Sequence, residues 1–210
     1  MRLKLSKRYG QVIGLTGNLC TGKSLALAVL KNMGFLTISM DKFVHRIMSN
    51  NSSVKAQIVE KFPNVLKDDK ICRVTLGDLV FSNRTNMANL EAIISPYTKE
   101  KILDTVNRVR CTRERSVVLE VPLLFEKKRE RYFDIIIYLY SSYEEILKRA
   151  LKRTNMTTRK IFTILSSQCS PKNVRHKVNY FIYNCNKRYL IKSLKNISTY
   201  GAFKGNRLRY

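Results

Sequence analysis

The sequence predicts an α/β protein on a parallel sheet of about five strands, with helices on both faces. Three observations predict it. A short apolar run, QVIGLT at 11–16, passes through a glycine-containing loop into the apolar helical pattern LALAVL at 25–30. Two stronger runs, SVVLEV at 116–121 and DIIIYLY at 134–140, are apolar on successive residues, as in strands covered on both faces. Helical stretches separate these runs, and strands alternating with helices give a parallel sheet whose ligand lies at the carboxyl ends of the strands.

Taken in order, the first helix ends at Gly34, a residue suited to the left-handed C-terminal position. FLTI at 35–38 reads as a second short buried strand, followed by Asp41. Residues 42–110 read as mostly helical, with breaks near 50–53, Pro63, 68–70 and Pro96. The strand at 116–121 runs into Pro122. Helices are expected at 143–152 and 157–168, with the arginine-rich stretch KRALKRTNMTTRK around their junction. YFIY at 180–183 is the last strand and 187–196 the last helix, and the basic, glycine-containing residues 201–210 are expected to fray.

At 210 residues the chain can bury a sizeable core. Its 5 cysteines are scattered and form no CxxC pair, which argues against a disulfide framework and a zinc site and fits a reducing cytoplasm. No apolar run spans a bilayer, and the basic opening MRLKLSKRYG holds no apolar segment, so neither anchoring nor export is expected. The formal charge of +25 exceeds what a few phosphates require. Because the cations are not gathered into one stripe and no RNA-binding signature accompanies them, solvated basic faces are favoured over a nucleic-acid partner.

The chemistry centres on GNLCTGKS at 17–24, a phosphate-binding loop between a strand and a helix. Gly17 and Gly22 allow the amides of Asn18, Leu19, Cys20 and Thr21 to turn inward, and the helix start at Ser24 and Leu25 adds its positive end. Lys23 is placed for the β and γ phosphates of ATP and Ser24 for Mg²⁺. Asp41, just past the second strand, lies on the same sheet edge; it orients and deprotonates an alcohol acceptor or, structurally, caps the helix that follows. Glu120 at a strand end can hold a Mg²⁺-bound water opposite Ser24, or be a strand-end glutamate with no metal. Arg149 and Arg153, four apart on one helix face with Arg159 beyond, can close over a triphosphate or simply be solvated. His45 and His176 stand alone and read as surface or packing residues.

Together, GLTGNLCTGKS, the strand followed by Asp41, KICRVTLGDLVF, LEAIISP, VLEVPLLFE, EILKRALKR and NYFIYN resemble, in order, the motifs of the dephospho-coenzyme A kinase family, from about Val12 to Asn186. The resemblance implies a P-loop kinase fold: a nucleotide core (1–49, 112–142, 169–200), an inserted helical acceptor domain (50–111) and a small lid (143–168). It also implies transfer of the ATP γ-phosphoryl group to the ribose 3′-hydroxyl of dephospho-coenzyme A. On it, Asp41 is the base and Arg149 the lid arginine, with Arg153 beside it, while Arg73, Pro122, Leu123 and Leu124 shape the acceptor side. Asn18 stands where the family usually has glycine, Ser95 where it has histidine and Thr154 where it has aspartate, while Ser39 and Asn179 replace common acids. The alternatives are another small P-loop kinase, acting on a nucleoside, a nucleoside monophosphate or shikimate, and a non-catalytic basic protein binding RNA or a membrane surface.

Overall fold

The computed structural model describes residues 10–112, 115–154 and 156–200. The expected fraying of 201–210 and most of the basic opening segment lie outside the described residues. β1 (Val12–Gly17) is buried along its whole length and leads through the glycine loop into α1 (Lys23–Asn32). Gly34, at φ 89°, turns the chain after α1 into β2 (Leu36–Ser39). Later in the chain come α2 (Met40–Asn50), α3 (Ser52–Lys61), a hairpin of β3 (Leu66–Lys67) and β4 (Lys70–Ile71), α4 (Arg73–Phe81) and α5 (Arg84–Thr112). β5 (Val117–Glu120), β6 (Ile135–Tyr140), α6 (Tyr143–Ala150), α7 (Thr158–Ser167), α8 (Pro171–Val174), β7 (Tyr180–Tyr183) and α9 (Lys187–Tyr200) complete the described chain.

The five-stranded sheet has the order β2-β5-β1-β6-β7, and every neighbouring pair is parallel. Strand order reverses around β1, so the crevice beyond its carboxyl end is where such sheets bind ligands. α1 and α9 cover one face through Ala26, Leu30, Leu190, Leu194 and Ile197. The other face packs on the second half of α5, through Ile102, Val106 and Val109. β2 is an edge strand, with Leu36 46% exposed, rather than the buried strand its apolar sequence suggests. A run of four residues says nothing about whether a neighbour lies on one side or two.

Between β2 and β5, α2 to α5 form their own apolar cluster, with Val54, Ile58, Leu76 and Val80 buried at its centre. Three of the expected breaks are present. Asn51 separates α2 from α3 and caps α3 by accepting from the Val54 N–H at 2.9 Å. Pro63 opens a short 3₁₀ turn, and Asp68 and Asp69, at φ 47° and 56°, turn the hairpin, a conformation that aspartate tolerates. The fourth break is absent: α5 runs through Pro96 without ending. An interior proline costs a helix about 3 kcal/mol. Burying Ile102, Val106 and Val109 against the sheet, at about 1.5–3 kcal/mol each, outweighs that cost, and Ile94 anchors the helix on the other side of the proline.

Candidate active site

The loop after β1 is held in shape by contacts to the strands and helices around it. Gly17 has φ 145°, and a Cβ there would lie 2.2 Å from the Leu139 carbonyl oxygen of β6, so only glycine fits. Cys20 and Gly22 also take positive φ, 56° and 90°. Thr21 donates from Oγ1 to the Asn18 carbonyl at 2.8 Å. Asn18 is 8% exposed; its Oδ1 accepts from the Tyr138 hydroxyl and its Nδ2 donates to the Cys169 carbonyl at 3.4 Å. Asn18 therefore pins the loop to β6 from below, which gives its departure from glycine a structural role. Burial pushes the Tyr138 phenol up from its ordinary pKa, aided by Glu126, so the hydroxyl stays a donor. Gln168 accepts from the Leu19 N–H at 2.9 Å and ties the loop to the segment after α7.

Lys23 donates to the carbonyls of Gly17 and Asn18, each at 2.8 Å. Burial holds its ammonium below the ordinary lysine range, against the pull of Asp41, Glu120 and Cys20, with Arg153 adding repulsion. Ser24, exposed at the start of α1, donates from Oγ to Glu120 Oε1 at 3.4 Å. Glu120 is 2% exposed, and its Oε2 accepts from Ser39 Oγ at 2.8 Å. β5 thus presents a carboxylate beside the loop serine, held from the β2 side by Ser39. These hard oxygen donors suit Mg²⁺, which binds through one or two protein ligands plus phosphates. Among the described residues no cluster of three or more His, Cys, Asp or Glu could hold a metal by itself.

The cap of α2 is Ser39, not Asp41: the Ser39 hydroxyl accepts from the Lys42 N–H at 3.4 Å. Asp41 lies in the first turn, exposed, with no hydrogen bond or ion pair among the described residues. The structural alternative read from the sequence is therefore met by another residue, and the Asp41 carboxylate is left free at the mouth of two cavities. The larger, about 660 Å³, is lined by the loop, Glu120, Arg149 and Arg153. The smaller, about 240 Å³, adjoins it through Asp41, Leu90, Glu91, Pro122 and Leu123.

Arg149 is held more firmly than a mobile lid residue. It donates to Ser141 Oγ at 2.9 Å and to the carbonyls of Asn184, Cys185 and Cys20 at 2.8, 3.2 and 3.4 Å, with Glu145 at 3.8 Å. Its guanidinium ties the ends of β6 and β7 to the phosphate loop. α6 carries it from a complete capping box of Ser142 and Glu145, and packs Ile146 and Ala150 against Cys20. Arg153 is exposed and lines the larger cavity.

The acceptor-side residues separate. Pro122 and Leu123 line both cavities, and Leu123 sits at φ 55°, a strained setting for leucine. Leu124 is fully buried among Val12, Leu119 and Phe133, so its side chain belongs to the core rather than to a ligand surface. Arg73, at the start of α4, lines neither cavity; its Nη1 lies 3.0 and 3.2 Å from the two ring nitrogens of His45, which therefore does not stand alone. Sequence reading missed Glu91, Gln168, Arg129 and Asn184. Glu91 and Asn184 fall inside the quoted stretches LEAIISP and NYFIYN but gave no chemical signal. Asn184 fixes Gly22: its Nδ2 donates to the Thr21 carbonyl at 2.9 Å and would lie 2.4 Å from any Cβ at that position.

Comparison with known proteins gives the family and the fold. The dephospho-CoA kinase family model matches residues 11–189. A dephospho-CoA kinase of Latilactobacillus sakei is 32% identical over 173 residues, covering 82% of this chain and 86% of its own. The structure of dephospho-CoA kinase from Campylobacter jejuni superposes with a TM-score of 0.61 at 28% identity, covering 91% of this chain and 98% of its own. A shikimate kinase from Acinetobacter baumannii, TM-score 0.54 at 14% identity over 89% of this chain and 92% of its own, shares the fold alone. With a match spanning the loop, Asp41, Glu120 and Arg149, the chain belongs to the dephospho-CoA kinase family.

Proposed function

We propose that the protein transfers the γ-phosphoryl group of ATP to the ribose 3′-hydroxyl of dephospho-coenzyme A, giving coenzyme A and ADP. The observation that carries this reading is the free Asp41 carboxylate, facing both the phosphate-loop cavity and the adjoining apolar one. A phosphate acceptor calls for cations at that place, whereas a hydroxyl gains from a carboxylate that orients it and takes its proton. ATP occupies the larger cavity, with its phosphates on the amides of residues 17–24 and on Lys23. Ser24 and Glu120 would hold Mg²⁺, which would supply charge neutralisation at the phosphates. Arg149 fixes the loop, and Arg153 faces the phosphoryl oxygens as charge spreads over them. The five free cysteines and the absence, among the described residues, of any helix able to cross a membrane support a cytoplasmic enzyme. Nucleic acid is not among the partners proposed.

The test is ADP release with Mg²⁺ and ATP across candidate acceptors, with the product phosphate located by NMR. Turnover with dephospho-coenzyme A and phosphate on the 3′-oxygen is expected, with AMP, adenosine and shikimate poor. Brisk turnover with one of those three and none with dephospho-coenzyme A would overturn the assignment.

A further inference from the structure

The smaller cavity contains a charged group that the reaction as described does not use. Arg129 follows the turn after β5 and is 6% exposed. Its Nη2 donates to the Ser95 carbonyl, Ser95 Oγ and Thr98 Oγ1, each at 3.0 Å, so it is fixed against α5 beside Pro96. Among the described residues no carboxylate forms an ion pair with it. The near acid, Glu91, is paired with Lys127 at 2.5 Å. Nε and Nη1 have no acceptor among the described residues, and Arg129 lines the cavity. Burial lowers the guanidinium pKa, a sign that its charge is incompletely compensated.

Guanidinium donors that no protein group engages, at the wall of a cavity, are open to a ligand. Three features identify the ligand group. The other walls of the cavity include Met40, Val44, Ile94, Val121 and Pro122, which favour a flat apolar body over a hydrated phosphate. Its cations and carboxylates balance, two of each, so a neutral group fits. It adjoins Asp41, so it receives a group carried close to the reacting hydroxyl; a nucleotide ribose carries its base and its 5′-phosphate arm there, and the apolar walls select the flat base. We infer that Arg129 is a specificity-determining residue that donates to a ring nitrogen of the acceptor's purine base, held in the cavity between α2, α5 and the turn after β5. This inference rests on the acceptor proposed above. Ser95, a departure from the family's usual histidine, then has a role as the acceptor that orients the guanidinium.

The test uses the intact enzyme and dephospho-coenzyme A analogues carrying 1-deaza-, 3-deaza- or 7-deazaadenine, each with one ring nitrogen replaced by C–H. With the wild-type chain, one analogue is expected to raise the acceptor KM about 10- to 100-fold, the value of one hydrogen bond to a charged donor, while the KM for ATP stays the same. In Arg129→Gln that analogue and dephospho-coenzyme A are expected to have equal KM. Equal KM for all three analogues and the parent in the wild type would overturn the inference while leaving the kinase assignment intact. Discrimination that persists in Arg129→Gln, with only thermal stability lowered, would make Arg129 a purely structural tie and overturn it too. No phosphoryl transfer to dephospho-coenzyme A would instead bring down the function on which the inference rests. Because the wild-type series needs no variant, poor folding of Arg129→Gln leaves the test decisive.

Discussion

Asp41 and Ser39 show how two neighbouring residues divide the work that the sequence offers to one. Ser39 caps α2 and holds Glu120, so Asp41 is free for chemistry. Asp41→Asn is expected to lower kcat by about 10²- to 10⁴-fold with ATP affinity unchanged, and to shift stability by less than about 0.5 kcal/mol, as for an exposed residue without partners. Steady-state kinetics with a urea titration checks both. At Lys23 the lowered pKa has a binding consequence. Phosphate anions raise it again, so between the free and bound values ATP binding takes up a proton, and affinity falls as pH rises through that window. Calorimetry in alkaline buffers of different ionisation enthalpy is expected to register that uptake; heats independent of buffer would place the charge elsewhere.

α5 and α6 position the site as whole elements. α5 joins the sheet core to the helical cluster through Pro96, and Arg129 fastens the turn after β5 to the same stretch of helix. α6 begins in a capping box and carries in its last turn Arg149, whose fork reaches the ends of two strands and the phosphate loop. Arg149→Lys keeps the charge but not the planar fork. The expected result is a raised KM for ATP together with a lowered melting temperature, because the loop loses its tie to β6 and β7. A variant that binds ATP normally and folds normally but turns over slowly would show instead that the guanidinium acts on the transferring group.

For the whole molecule, 40 basic residues stand against 15 acidic ones, and the proposed reaction brings in two polyanions. Such a field speeds capture without adding to ground-state contacts. Raising ionic strength from about 0.01 M to about 0.15 M shortens the screening length from about 30 Å to about 8 Å. kcat/KM for the acceptor is expected to fall about tenfold or more over that range, with kcat little changed. A salt-independent kcat/KM would show that the excess charge does not reach the cleft.

The chain by itself determined the central sheet, the phosphate loop and the boundaries set by Gly34, Asn51, Pro63 and the two hairpin aspartates. Each of these follows from local rules: apolar runs, left-handed backbone at glycine and aspartate, and a proline ring that fits a first turn. Lys23, Ser24, Asp41 and Glu120 were legible as candidates for the same reason, since each sits at or just beyond the carboxyl end of a strand. Tertiary structure decided what depends on neighbours far along the chain. Pro96 stays helical because Ile102, Val106 and Val109 have a sheet to pack against, and β2 is an edge because nothing follows it in the sheet order. Leu124 turns into the core while Leu123 lines both cavities, and the φ of 55° at Leu123 divides two residues of the same type. Arg129 meets Ser95 across 34 positions and Asn184 meets Thr21 across 163. No local pattern encodes such pairings, because they exist only once the sheet and α5 bring their carriers together.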